Sequence, residues 1–194
     1  MSPSPSEKFS ALAARASQQR RFVTSLHKLY AKLCRELAQS EHSAVVHTRR
    51  EARRLGDVAP AKALLSLGQH AEMLRPRFTA LLSKRQPAGM FAGRTVGHVF
   101  STLRHFLFDR LIDTERSYRG TLLGFHHGIA CARLLREVAD RVGDDHMVSF
   151  CDDMLADRVP LLEAAEQQVA YFARRPQKAI KSGLSVAFEP LTEQ

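Results

Sequence analysis

The chain has 194 residues, of which 44% are hydrophobic and 25% charged, values typical of one globular domain with a substantial core and not of a disordered chain. No apolar run approaches the ~20 residues that span a bilayer, so we expect no membrane span. The formal net charge of +9 makes acidic partners a class to consider. Three widely spaced cysteines and a start unlike a signal peptide favour a reducing, cytoplasmic location.

The first part of the chain has the apolar periodicity of a long helix. Residues 1–5 are expected to form a disordered lead, and apolar side chains then recur every three or four positions over residues 6–40. The opposite face carries basic residues that we expect to be solvated: Arg15, Arg20, Arg21, Lys28, Lys32 and Arg35. A separate, shorter helix is predicted over residues 43–55, ending at Gly56.

The second predicted helix covers residues 58–84. Pro76 lies inside it and predicts a kink, because proline removes one backbone hydrogen bond. Residues 85–94 contain a proline and two glycines and form the clearest loop of the chain. This loop divides a single domain, residues 6–176, into two helix pairs, residues 6–84 and 95–174.

The second half of the domain predicts two more helices. The third runs from residue 95 to near Gly143 without an internal proline. Asp144 or Asp145 can cap the fourth, and Pro160 inside that helix predicts a second kink.

The helical pattern stops at Pro176, and residues 177–194 are expected to form a C-terminal extension. The sequence contains no period-two strand pattern, no phosphate-binding loop and no dinucleotide-binding motif. It therefore predicts an all-α fold, an up-down four-helix bundle with one extra short helix.

Gly120, Gly124 and Gly128 recur every four residues, close to one ridge of the third helix. Each glycine in a helix interior costs about 1 kcal/mol relative to alanine, so another interaction must offset the cost. We predict close helix packing against this ridge, with a bend in the helix or a ligand surface as the alternatives.

The candidate metal ligands form no complete motif. His98, His105 and Asp109 share one face of the third helix, and the i,i+4 pair of His105 and Asp109 could clamp a metal, although this face also lies close to core positions. A di-iron bundle places carboxylates and two Glu-x-x-His motifs at its centre, and no Glu-x-x-His occurs in this sequence. The carboxylates that a dinuclear site would use are Glu36, Glu72, Glu115, Glu163 and Glu166.

Two charged clusters are candidates for partner binding. The segment from Asp109 to Arg119 is densely charged, includes the favourable i,i+4 pair Glu115 and Arg119, and is expected to be exposed or interfacial. The second cluster lies between the first two helices and is a candidate anion-binding site: Arg49, Arg50, Arg53 and Arg54.

The segment from Asp109 to Phe172, with Glu115 on its third helix, resembles the ferritin-like superfamily. More narrowly, it is similar to bacterial stress-associated ferritin-like proteins of unknown function. The resemblance lies in helix order and helix length, and it implies a ferritin-like bundle that is often a homodimer and sometimes holds two irons. The chain departs from that pattern because the Glu-x-x-His pairs are missing.

Complete helical stripes beside incomplete ligand sets predict a metal-free binding or assembly protein, with no cofactor and no catalytic residue. One alternative is a di-metal carboxylate oxidase or metal-storage protein that uses iron or manganese. The other is a binder of nucleic acid or another anionic partner through Arg-rich helix faces.

Overall fold

The computed structural model describes residues 5–85 and 113–180, although not the side chains of residues 5–14, 16 and 85. The predicted all-α class is confirmed. Four long helices are α1 (Pro5–Leu55), α2 (Ala59–Arg85), α3 (Thr114–Val142) and α4 (Asp145–Gln167), and two short ones follow, α5 (Ala170–Arg174) and α6 (Pro176–Ala179). None of the described helices combines the length and apolar composition that crossing a bilayer requires.

α1 is one continuous helix of 51 residues, about 76 Å long at 1.5 Å per residue. The predicted separate helix over residues 43–55 is therefore wrong. No glycine or proline interrupts the chain there, and buried Leu37, Val45 and Thr48 keep the same helical spacing across the expected break. The predicted end of the helix is confirmed, since Gly56 has a left-handed φ of 77°.

The link between α3 and α4 is built as predicted. Gly143 adopts a φ of 73°, which ends α3, and the Asp144 side chain accepts a hydrogen bond from the backbone nitrogen of Met147 at 3.2 Å. Both internal prolines, Pro76 and Pro160, are exposed and the helix continues past each of them. The loop predicted over residues 85–94 and the helix start at residue 95 lie outside the described residues.

Contacts with α1 fix the directions of α2 and α3. Thr48 lies against Gly68, and Glu36 pairs with His127 while Arg54 reaches Thr114, so both helices run antiparallel to α1. α2 and α3 therefore run in the same direction, and the up-down alternation predicted from the sequence is not found. The C-terminus of α2 and the N-terminus of α3, which the intervening chain connects, therefore lie at opposite ends of the bundle.

α4 runs parallel to α1 and diagonally across from it. The Tyr30 hydroxyl donates to Asp144 Oδ2 at 2.5 Å near one end of this pair, and Glu41 meets Arg158 in the middle. Each long helix thus packs on two others, in the order α1, α2, α4, α3 around the bundle.

The core consists of two apolar clusters, one toward each end of the bundle. In one cluster Phe78 and Phe150 stack with ring centroids 4.8 Å apart, and in the other Tyr118 lies 5.3 Å from Phe172. Buried polar residues lie between the two clusters, and they position the site described next.

The first turns of α1 extend beyond the other helices. Every described side chain between residues 15 and 25 is exposed, including Phe22 and Val23. We call residues 5–25 the arm. The basic residues expected to be solvated on α1 are all exposed: Arg15, Arg20, Arg21, Lys28, Lys32 and Arg35.

Candidate functional site

A groove of about 760 Å³ lies between α1 and α3. Its floor is made of small side chains: Ser40, Ser43 and Ala44 on α1, and Gly120, Thr121 and Gly124 on α3. From Glu36 to Glu51 the groove follows α1 for about 22 Å, at 1.5 Å per residue. A cleft of this size between helices is where bundle proteins commonly bind small molecules.

The three glycines of α3 have different surroundings. A Cβ atom added at Gly128 would lie 2.8 Å from Ser40 Oγ, so α1 and α3 approach closely there. A Cβ atom at Gly120 or Gly124 would meet no heavy atom within 4 Å. The predicted close packing is therefore found at Gly128 only, while Gly120 and Gly124 are exposed and line the groove.

Charged side chains line both ends of the groove. At one end His127 Nε2 lies 3.2 Å from Glu36 Oε1. At the other end lie Arg116, exposed to solvent, and the buried carboxylate of Glu51, whose Oε1 is 3.7 Å from Arg54 Nη1. The groove therefore has a weakly polar middle and ionic groups at both ends.

A buried ionic cluster lies behind the groove wall. Phe125 lines the groove, and the Arg158 guanidinium lies 5.3 Å from the centre of its ring. Arg158 donates two hydrogen bonds to Glu41, at 2.7 and 3.1 Å, and a third from Nε to His70 Nδ1 at 2.8 Å. Arg158, Glu41 and His70 come from α4, α1 and α2, so the cluster ties three helices together behind Phe125.

The contacts of His70 define its tautomer. Because Nδ1 accepts a hydrogen bond from Arg158, the proton of the neutral ring is on Nε2, which is buried and lies 3.7 Å from Asp157 Oδ2. Burial, and the positive charge of Arg158, lower the pKa of His70. The ring is therefore neutral near pH 7 and acts as a hydrogen-bond acceptor at the bundle centre.

The carboxylates proposed for a dinuclear metal site do not converge. Glu36 pairs with His127, Glu72 with Arg49 and Glu115 with Arg119. Glu166 lies 2.6 Å from His126, and Glu163 is exposed on α4. In residues 5–85 and 113–180, no three His, Cys, Asp or Glu side chains lie close enough to hold a metal ion. The described ligands therefore do not fit a di-iron centre.

The predicted arginine cluster is divided between different partners. Arg49 is paired with Glu72 of α2, and the half-buried Arg54 contacts Glu51 and Thr114. Arg53 is exposed, and Arg50 is half-buried. Arg49 and Arg54 are thus engaged in contacts between helices, so the four charges do not form one common open site.

The remaining candidate residues have mixed outcomes. The predicted i,i+4 pair of Glu115 and Arg119 is formed, with Arg119 exposed. His98, His105 and Asp109 lie outside the described residues. The cluster of Arg158, Glu41 and His70 was not expected. A signal for it exists, because Glu41 and Arg158 occupy core-facing positions within the apolar stripes of their helices.

Comparisons with known proteins add no relative. Neither the models of protein families, nor the curated proteins, nor the solved structures contain a match to this chain.

Proposed function

We propose that this chain is a binding protein whose ligand site is the groove between α1 and α3. The observation that carries the proposal is the open position of Gly120 and Gly124 on its floor. Glycine at both positions costs the helix about 2 kcal/mol relative to alanine, and no packing in the described structure offsets that cost. A ligand lying against the backbone of α3 would offset it, as binding sites often retain residues that reduce stability.

The lining of the groove indicates the kind of ligand. Ala44, Leu123 and Phe125 offer apolar contact along the middle, while Arg116 and Glu51 provide ionic groups at one end. We therefore propose an elongated ligand with an apolar body and a charged end. Leu123 is 69% exposed on the rim, where a bound apolar body would cover it.

The proposed role is binding and not catalysis. Burial raises the pKa of Cys131 and of Cys151 to about 12, so these two thiols are poor nucleophiles. Two histidines, His47 and His127, line the groove. The imidazole of His127 is paired with the carboxylate of Glu36.

We further propose that the bundle is ferritin-like. The directions of the helices support this, because ferritin-like bundles have one long crossover connection, and α2 and α3 run in the same direction. The described carboxylates do not converge and so do not favour the alternative of a di-metal oxidase or storage protein, which elemental analysis of protein purified without chelators tests. Iron or manganese at one or two ions per chain would favour that alternative.

The homodimer implied by the ferritin-like resemblance is a separate proposal. Its test is the mass in solution by light scattering, against 21.8 kDa for one chain. A value near 21.8 kDa at micromolar concentration would reject the dimer.

The groove is tested with a fluorescent probe, anilinonaphthalene sulfonate, which combines an apolar ring system with one anionic group. We expect saturable binding to the wild type and at least tenfold weaker binding to Gly124→Leu, whose side chain fills the floor. The matched control is Ala164→Leu, which adds a leucine at an exposed position of α4. Equal binding by the wild type and Gly124→Leu would reject the groove as the site.

A further inference from the structure

The exposed face of α1 concentrates the positive charge of the protein. Residues 1–35 contain seven basic residues and one acidic residue, so they contribute +6 of the net charge of +9. No acidic residue lies between Glu7 and Glu36. The exposed cations are Arg15, Arg20, Arg21, Lys28, Lys32 and Arg35, and none of their side chains forms an ion pair or hydrogen bond with a described residue.

Four of these cations form a straight row. Arg21, Lys28, Lys32 and Arg35 are separated by seven, four and three residues, which places them on one side of the helix. The row is about 21 Å long at 1.5 Å per residue. The row lies on the side of α1 that faces away from the bundle, since Leu33, Cys34 and Leu37 on the opposite side of the helix are buried in the core. We call these four residues the cationic row.

We propose that the cationic row binds the phosphodiester backbone of a nucleic-acid duplex. A duplex carries one negative charge per ~1.7 Å of its axis, so about twelve phosphates lie along a segment as long as the row. Lys28, Lys32 and Arg35 lie where α1 packs on the bundle, while Arg21 belongs to the arm, whose described side chains are exposed. The contact is to the backbone and carries no base sequence preference.

The side chains around the row favour a duplex over a single strand. Binding of single strands relies on aromatic side chains that stack on the bases. The polar neighbours of the row are Ser17, Thr24 and Ser25. Phe22 follows Arg21 directly and so points about 100° away from the row.

A membrane surface fits the row less well than a duplex. Stable binding of a basic helix to a bilayer requires an apolar face that enters the interface. At Lys28, Lys32 and Arg35, the apolar face of α1 is already buried against the bundle. Only charge is available there for an outside partner.

The experiment compares two variants with equal loss of charge. The row variant combines Arg21→Gln, Lys28→Gln, Lys32→Gln and Arg35→Gln. The control combines four exposed basic residues outside the row: Arg75→Gln, Lys84→Gln, Arg133→Gln and Arg141→Gln. Fluorescence anisotropy with labelled 24-base-pair DNA and RNA duplexes, between 50 and 200 mM salt, measures affinity and its salt dependence for the full chain.

For both duplexes, we expect the row variant to bind at least tenfold more weakly than the wild type at 50 mM salt. Its slope of log affinity against log salt should be smaller by about 3.6, since each phosphate contact contributes about 0.9. The control should stay within about threefold of the wild type. Equal losses in both variants, or no binding by the wild type, would overturn the proposal. Binding to phosphatidylserine vesicles with no binding to either duplex would overturn it in favour of a membrane.

Discussion

Arg158 of α4 and Glu41 of α1 form a bidentate ion pair at the centre of the bundle, where their side chains are 1% and 4% exposed. The pair lies between the two apolar clusters, and Arg158 also donates to His70. Removing one partner leaves a buried charge without its counter-charge. Such a loss is far more costly than the net contribution of the intact pair.

We therefore expect Arg158→Met and Glu41→Gln each to lower the free energy of unfolding by about 3–5 kcal/mol. The double variant Glu41→Gln with Arg158→Met should lose less than the two single changes together, because it leaves neither charge buried. Urea unfolding followed by circular dichroism measures all three. Single losses below about 1 kcal/mol would contradict a coupled buried pair. So would a loss in the double variant that equals the sum of the two single losses.

The lowered pKa of His70 predicts a pH dependence of stability. The unfolded histidine titrates near pH 6.5, and the folded one at a lower pH. Between these two values the unfolded chain binds a proton that the folded chain does not. Stability is therefore unaffected by His70 above pH 6.5 and falls as the pH drops below it.

The measurement is the melting temperature of the wild type and of His70→Gln between pH 7.5 and pH 5. We expect the wild type to lose more stability than the variant over the lower part of this range. Parallel curves for the two proteins would show that His70 does not titrate as its surroundings require.

Replacing the helix glycines with alanine should stabilise the protein at some positions and destabilise it at another. Gly120→Ala and Gly124→Ala should each stabilise the protein by about 0.5–1 kcal/mol, because alanine favours the helix and its Cβ meets open space. Gly68→Ala should destabilise it, since the new Cβ would lie 2.2 Å from Oγ1 of the buried Thr48. Urea unfolding measures the free energy of unfolding of the three variants. Stabilisation by Gly68→Ala would contradict the packing of α1 on α2.

The burial of the cysteines predicts that their thiols react slowly in the native protein. Cys34, Cys131 and Cys151 are buried thiols outside any disulfide, and burial raises the pKa of the last two to about 12. At pH 8 the thiolate fraction of these two is about one in ten thousand. We expect native protein to react with a disulfide reagent far more slowly than a free thiol. After unfolding in urea, all three cysteines should react, and rapid labelling of the native chain would contradict their burial.

The sequence predicted those features that depend on local chemistry. Gly56 and Gly143 end their helices with the left-handed backbone that glycine allows, and Asp144 caps the next helix. The break expected after residue 40 failed for a related reason. Residues on both sides of it are compatible with a helix, and the packing of α1 on α2 and α3 continues past it to Thr48 and Arg54.

The groove could not be predicted from spacing alone. Gly120, Gly124 and Gly128 share the same spacing, but only Gly128 lies against a side chain of α1, and that contact depends on how the two helices pack. The same holds for Gly68, whose close contact with Thr48 depends on how α1 and α2 pack. A charged residue within an apolar stripe, as at Glu41 and Arg158, is the one signal that could have located the buried cluster.

The double variant Gly120→Ala with Gly124→Ala tests the central claim, that these positions stay open for a ligand, most directly. Its urea unfolding and its titration with anilinonaphthalene sulfonate are measured on the same preparation. We expect the double variant to be about 1–2 kcal/mol more stable than the wild type and to bind the probe several-fold more weakly. A variant that gains this stability and binds the probe as tightly as the wild type would contradict it.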